Sequence, residues 1–348
     1  MADGTGPLAA QGAQGGRPGS RRRTLYAALD LGTNNCRLLV AEPVRRGFRI
    51  VDAFSRIVRL GEGLSRTGAL SDAAQARALD ALAVCADKIG RRKVDRVRCI
   101  ATQACRVASN GHEFLRAVRD RTGLNLDVIT PREEARLAVA GCAQLVDPRA
   151  RAALVVDIGG GSTELSWLAG GGPRWSARHI AAWTSLPFGV VTLSERFPEP
   201  EDGDLAGWYA AMVEAVRAEV AAVGQARHLA PHFTGGEAHI VGTSGAVTSL
   251  AGVHLGLQRY SRAEVDGLWI SRQDVAGAIR RLAGKNRAAR AAEPCIGPDR
   301  ADLVLAGAAI LEAILAEWPS EQVRVADRGL REGVLLSMMQ RRRSGGRR

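Results

Sequence analysis

Two stretches of this chain repeat one pattern. "LDLGTNNCRLL" (residues 29–39) and "VDIGGGSTELS" (residues 156–166) each run from an apolar strand through Asp-hydrophobic-Gly and small polar residues into a second strand. Their aspartates, Asp30 and Asp157, stand 127 residues apart. Glycine loses more conformational entropy on ordering than any other residue. Three in succession behind a buried strand therefore serve either a tight turn or an approach to the main chain that no Cβ permits. One copy alone would read as an ordinary hairpin. Two copies with an Asp at the same offset predict an α/β chain made of two related halves facing each other across a cleft.

The remaining pattern fits that organisation. After "TLYAALDLG" come strands in "CRLLVAEP" and "GFRIVDAFSRIVRL", a helix from Ser71 or Asp72 to about Arg92, and a strand "DRVRCIAT". A short helix or turn "QACRVASNG", a helix "HEFLRAVRDRTG" and a strand "LNLDVIT" complete the first half. The second half opens with "AALVVDIGGGSTELSWLAGG". It continues through helices near "GVVTLSERF" and from about Asp204 to Ala226, a strand "AHIVG", a helix after "TSGAVTSLAG", a helix "RADLVLAGAAILEAILAEW", a strand "QVRVA" and a last helix. The expected division is 24–130 for domain I and 131–327 for domain II, with a final helix 328–340 packing back on domain I. Residues 1–23 and 341–348 read as basic tails, the first of them disordered on its Gly/Ala/Gln/Pro composition.

The net charge of +12 belongs mostly to those tails: +3 on residues 1–23 and +5 on the last eight, which leaves +4 between them. Such tails attract polyanions in a salt-sensitive, unspecific way. No zinc-finger spacing or aromatic-rich basic strand accompanies them, so no specific nucleic-acid partner is expected. No apolar run reaches membrane-spanning length and no secretory leader is recognisable, so a cytoplasmic chain without a membrane partner is expected. The six cysteines form no CxxC pair and lie mostly in apolar segments, as buried free thiols in a reducing compartment would.

The glycine turns join strand to strand. A Walker A loop or a Rossmann fingerprint would lead into a helix, so both are excluded. Main-chain N–H groups of Gly32, Thr33, Asn34 and Asn35, and of Gly159, Gly160, Gly161 and Ser162, can converge on an anion, with the hydroxyls of Thr33, Ser162 and Thr163 as further donors. Asp30 and Asp157 end buried strands, where a lone carboxylate is unfavourable. A divalent cation such as Mg²⁺ would relieve this, because it takes one or two carboxylates and keeps waters and phosphate oxygens as its other ligands. Glu164, on the outgoing strand, is placed to join Asp157, with Asp30 as a third candidate ligand.

"TPREEARLAVAGCAQLV" reads as a helix with Thr130 as N-cap, Pro131 at the first position and Glu133 at N3 completing a capping box. At about 100° per residue, Glu134 emerges from the apolar face, opposite Arg132 and Arg136. Burial there would raise its pKa towards the working pH, as a general base requires. The alternative is a rim glutamate paired with a basic residue from the other domain.

The doubled turn resembles the superfamily of acetate and sugar kinases, actin and the heat-shock ATPases. Within it the chain is similar to the exopolyphosphatase / guanosine pentaphosphate phosphohydrolase family from about Tyr26 to about Gln340. The similarity rests on "ALDLGTNNCRLLVA", "IATQACRVASNG", "PREEARLAVAG", "VVDIGGGSTEL", "VGTSGAVTSLAG" and "RVADRGLREGVLL". It implies two actin-like (ribonuclease H-like) domains with mixed sheets. It also implies Mg²⁺-dependent release of terminal phosphate from polyphosphate or guanosine pentaphosphate, Glu134 as the residue activating the attacking water, and Arg106 near the phosphate chain. Some family members are dimers, which leaves a homodimer open here. The chain departs from the family in reading "DLGTNN" where "DLGSNS" is common, and it has no extra C-terminal helical domain, so long-chain processivity is not expected. A kinase or ATP-driven chaperone on the same fold would bind ATP tightly and transfer phosphate to an acceptor other than water. A sensor would need neither Glu134 nor a metal pair.

Overall fold

The structure, a computed structural model, describes residues 23–45, 47–201 and 203–345, with side chains through residue 340. The expected tails fall outside those residues, with two exceptions. Arg23 pairs with Glu42, and the backbone of 341–345 continues the last helix, Leu330–Gly345, five residues beyond its expected end.

Two sheets form the frame. The first contains β1 (Tyr26–Leu31), β2 (Asn35–Pro43), β3 (Phe48–Ile57), β4 (Arg96–Ala101) and β5 (Leu126–Val128), in the order β3-β2-β1-β4-β5. The second contains β6 (Ala152–Ile158), β7 (Thr163–Ala169), β8 (Ile180–Leu186), β9 (Ala238–Thr243), β10 (Trp269–Ser271) and β11 (Gln322–Ala326), in the order β10-β11-β9-β6-β7-β8. Each opens with an antiparallel meander, and its first strand then pairs in parallel with a later one, β1 with β4 and β6 with β9. Without the edge strand β10, the second sheet repeats the first. The chain is thus α/β with two mixed sheets, as expected. The sequence pattern does not reveal β8, which lacks clean alternation, or the three-residue β10. The helix expected to reach Ala226 ends at Ala221.

The repeat extends to register. Asp30 stands opposite Arg37 across β1 and β2, and Asp157 opposite Glu164 across β6 and β7. Alanine, valine and leucine dominate both cores, and all six cysteines are free and buried. Among the described residues no helix is long and apolar enough to cross a membrane.

Two helices join the halves. On Pro131–Cys142, Leu137 packs with Tyr26, Ala28, Leu39 and Ile100 of the first sheet. On another side of the helix, Val139 and Cys142 pack with Val155, Leu168 and Val241 of the second. The Leu330–Gly345 helix adds Val334 and Leu335 to the first of these clusters. The two helices touch backbone to backbone: a Cβ on Gly141 would collide with the Gly329 carbonyl, and one on Gly333 with the Leu137 carbonyl.

Candidate active site

Both glycine turns close with the same bond. Gly32 N–H donates to Asn35 O and Gly159 N–H to Ser162 O, each at 2.9 Å. None of the three consecutive glycines has a positive φ. What they supply is closeness. A Cβ on Gly159 would lie 2.8 Å from Ser162 O, one on Gly160 would lie 2.9 Å from Asn34 N, and one on Gly161 would strike the Gln103 side chain. The second turn therefore rests directly against the first at Gly160, with Gln103 wedged beside Gly161 and the Gly159 position closed by its own turn.

Beside this contact lies a cavity of about 460 Å³ lined by both turns and by Asp30, Asp157, Glu164 and Glu134. Burial raises the pKa of Asp157 to about 8, with the charges of Glu164 and Asp30 adding to it. Burial also raises Asp30, opposed by Arg37 and Arg331, and one of its oxygens, Oδ1, is buried without a hydrogen bond. Glu164 is raised by burial and steadied by the hydroxyls of Ser162 (2.8 Å) and Ser185 (2.9 Å), both donating to Oε1.

Glu134 lies on the buried face of its helix, 8% exposed. Burial holds its carboxyl well above the usual range, Glu164 pushes the same way, and Arg106 opposes both. The Arg106 guanidinium sits 3.3 Å from Glu134 Oε2 and donates to Ile129 O at 2.7 Å. Glu134 is thus both desolvated and paired, two conditions the sequence reading set against each other. Arg106 contacts Glu134 and is absent from the cavity wall. Since Arg106 is the main charge favouring the ionised form, Arg106→Ala is expected to shift the acidic limb of the pH–kcat/KM profile to higher pH. A limb left in place would separate Arg106 from the titration of Glu134.

Three expectations need correction. Thr163 is fully buried and its hydroxyl donates to Phe188 O at 2.6 Å, behind the turn. Side chains alternate along a strand, so Thr163 and Glu164 cannot share a face. Expected donors are already engaged: the hydroxyls of Ser162 and Thr33 are given to Glu164 and to Gln103 Oε1 (3.0 Å), and the N–H groups of Gly32 and Gly159 to Asn35 O and Ser162 O within their own turns. The capping box is half made: Thr130 Oγ1 accepts from Glu133 N–H, while the Glu133 carboxylate turns to Arg136 and Arg98. Gly32, Thr33, Asn34, Asn35, Gly159, Gly160, Gly161 and Ser162 all border the cavity.

Sequence reasoning missed Gln103, which is wedged between the turns, and Arg37, Arg262, Arg300 and Arg331 on the cavity wall. The 127-residue offset that maps Asp30 onto Asp157 also maps Arg37 onto Glu164 and would have pointed to Arg37.

Among the described residues no three His, Cys, Asp or Glu side chains cage an ion unaided. Mg²⁺ needs no such cage, because waters and phosphate oxygens complete its shell. The orphaned Asp30 Oδ1 and the facing pair Asp157 and Glu164 offer the hard oxygen donors it takes.

Comparison with known proteins matches this arrangement. The profile of the Ppx/GppA phosphatase family covers residues 39–342. Exopolyphosphatase 2 of Mycobacterium tuberculosis is 30% identical over 329 residues, 90% of this chain and 98% of that protein. The crystal structure of the Aquifex aeolicus Ppx/GppA family member superposes with a TM-score of 0.74 at 27% identity, over 92% of this chain and 98% of that one. An exopolyphosphatase from Cytophaga hutchinsonii shares the fold, with a TM-score of 0.79 at 23% identity over 91% of this chain and 98% of that one. With two matched turns, a buried glutamate on the bridging helix and near full-length similarity, the chain belongs to the Ppx/GppA phosphatase family.

Proposed function

We propose that this phosphatase releases the terminal phosphate of inorganic polyphosphate, with Glu134 as general base. One observation carries the reading: a desolvated carboxylate on the bridging helix lines the same cavity as both glycine turns. The turns hold the terminal phosphoryl group. Glu134 takes a proton from a water whose oxygen attacks phosphorus, the anhydride bond to the next phosphate breaks, and the shortened chain keeps the bridging oxygen. Asp157 and Glu164, with Asp30, would hold Mg²⁺. When bound, that ion offsets the charge of the phosphate oxygens and that building on the leaving group. Arg106 keeps Glu134 oriented and draws its pKa part of the way back down.

Beyond the turns, the guanidinium groups of Arg37, Arg262, Arg300 and Arg331 wall the cavity, a series suited to successive phosphates. Tyr260 and Thr248 border the same space. They favour guanosine pentaphosphate as a second substrate, since a nucleoside brings a flat ring and hydroxyls. Orthophosphate release from both compounds, measured on one preparation with Mg²⁺, tests the reading. Release from polyphosphate is expected, and failure to release from either compound would overturn it.

A further inference from the structure

Each turn is held from behind by a different element. The backbone N–H groups of Val58 and Arg59 donate to Asn34 O at 2.9 and 3.0 Å, and Gly61 N–H donates to Thr33 O at 2.9 Å. The segment after β3 therefore carries the first turn. Arg77 fixes that segment in turn by donating to the carbonyls of Val58 and Arg59. On the other side, the N–H groups of Val190 and Val191 donate to the carbonyls of Gly159 and Gly160 at 3.0 and 2.8 Å, and Thr192 Oγ1 donates to Gly161 O. The Val190–Arg196 helix therefore carries the second turn.

The first support is tied to the second half at two points, one on Asp302, just before the Val304–Glu317 helix, and one on the second support itself. Arg59 meets Asp302 with both terminal nitrogens, Nη1 to Oδ2 at 2.7 Å and Nη2 to Oδ1 at 3.0 Å, and reaches Asp299 O at 3.2 Å. Glu195, on the helix behind the second turn, accepts from Gly63 N–H at 2.7 Å and from the Ser65 hydroxyl. Arg59 holds a left-handed backbone (φ 47°) at this point, a strained conformation for a residue with a side chain.

The geometry points to Arg59, Asp302 and Glu195 as positioning residues: a two-point clamp that sets how the two glycine turns seat against each other and hence the placement of a phosphoryl group held beside them. Arg59, Asp302 and Glu195 lie outside the cavity wall. The clamp acts through the turns. A planar guanidinium gripping a carboxylate with two bonds fixes direction as well as distance, and the second grip at Glu195 blocks rotation about the first. Reacting groups displaced by about 1 Å can lose about 10²-fold in rate. A clamp two bonds removed from the turns is well placed to control such a displacement.

The catalytic part of this inference rests on the proposed polyphosphatase activity, so its test has two readouts. Short polyphosphate is the substrate, and spin labels at the exposed positions Arg116→Cys and Glu214→Cys report the separation of the halves. The double variant Asp302→Asn, Glu195→Gln is expected to lower kcat/KM by about 10²-fold. The fall should come mainly through kcat, with the midpoint of the pH profile unmoved, and the interspin distribution should broaden. The exchange Arg59→Asp with Asp302→Arg should recover most of what Arg59→Asp alone loses, whereas Arg59→Lys should recover part, because an ammonium lacks the fork. An unchanged kcat/KM, or a distribution as narrow as in the unsubstituted protein, would overturn the clamp. If the unsubstituted protein releases no phosphate, the functional reading fails, and the spin-label distances still decide whether the clamp holds the halves.

Discussion

Glu134→Gln is expected to lower kcat by about 10² to 10⁴-fold, the usual contribution of a positioned general base. The amide keeps the size of the side chain and removes its ability to accept a proton. Glu134 is not among the groups placed to hold the phosphoryl group, so polyphosphate should still bind with near-normal affinity. Single-turnover phosphate release, paired with a binding titration on the same variant, separates the two effects. The unsubstituted enzyme should gain activity as pH rises through the raised pKa of Glu134, since the base works only when ionised. The glutamine variant should lose that limb. Turnover within a few-fold of normal would remove Glu134 from the role.

Asp157→Asn should separate stability from activity. Burial raises the folded pKa of Asp157 to about 8 from an ordinary 3.8. Its neutral form is therefore the one the fold favours. The associated stability is fully present below about pH 4 and is lost as pH rises through about 8. Without a cation the protein should weaken across that window, and the asparagine variant, neutral throughout, should weaken less. One pKa unit corresponds to about 1.4 kcal/mol. Water entering the adjoining cavity screens part of the shift, so a gain on the order of a few kcal/mol at pH 9 is expected for the variant in EDTA. Adding Mg²⁺ should stabilise the unsubstituted protein, by about 2.7 kcal/mol at a hundredfold excess over Kd, and leave the variant nearly unchanged. Phosphate release by the variant should fall by orders of magnitude. Denaturant unfolding at pH 5 and pH 9, with and without Mg²⁺, measures all of this, and parallel curves for the two proteins would sink the assignment.

Much of this site can be read from the residues because its chemistry lies in local patterns. The turns repeat at a fixed offset, and the helix carrying Glu134 declares its buried face by periodicity. Thr163 shows the limit of composition without register. As a hydroxyl beside a glycine turn it invites a ligand role, yet the pairing of Asp157 with Glu164 turns it away. The partners of Arg59 and Glu195 lie 243 and 132 positions away in sequence, and no local pattern marks such pairings. The glycines were half legible. Their need for close approach was clear, but the approaching groups proved to be the chain's own: Ser162 O at Gly159, the opposite turn at Gly160 and Gln103 at Gly161.

The backbone crossing at Gly141 and Gly333 bears on how the enzyme is made. The helix that aims Glu134 is braced by residues near the end of the chain, which share a cluster with Tyr26 and Ala28 near its beginning. The helix of the proposed general base therefore gains this brace only once residues 329–335 have been made and have folded against it.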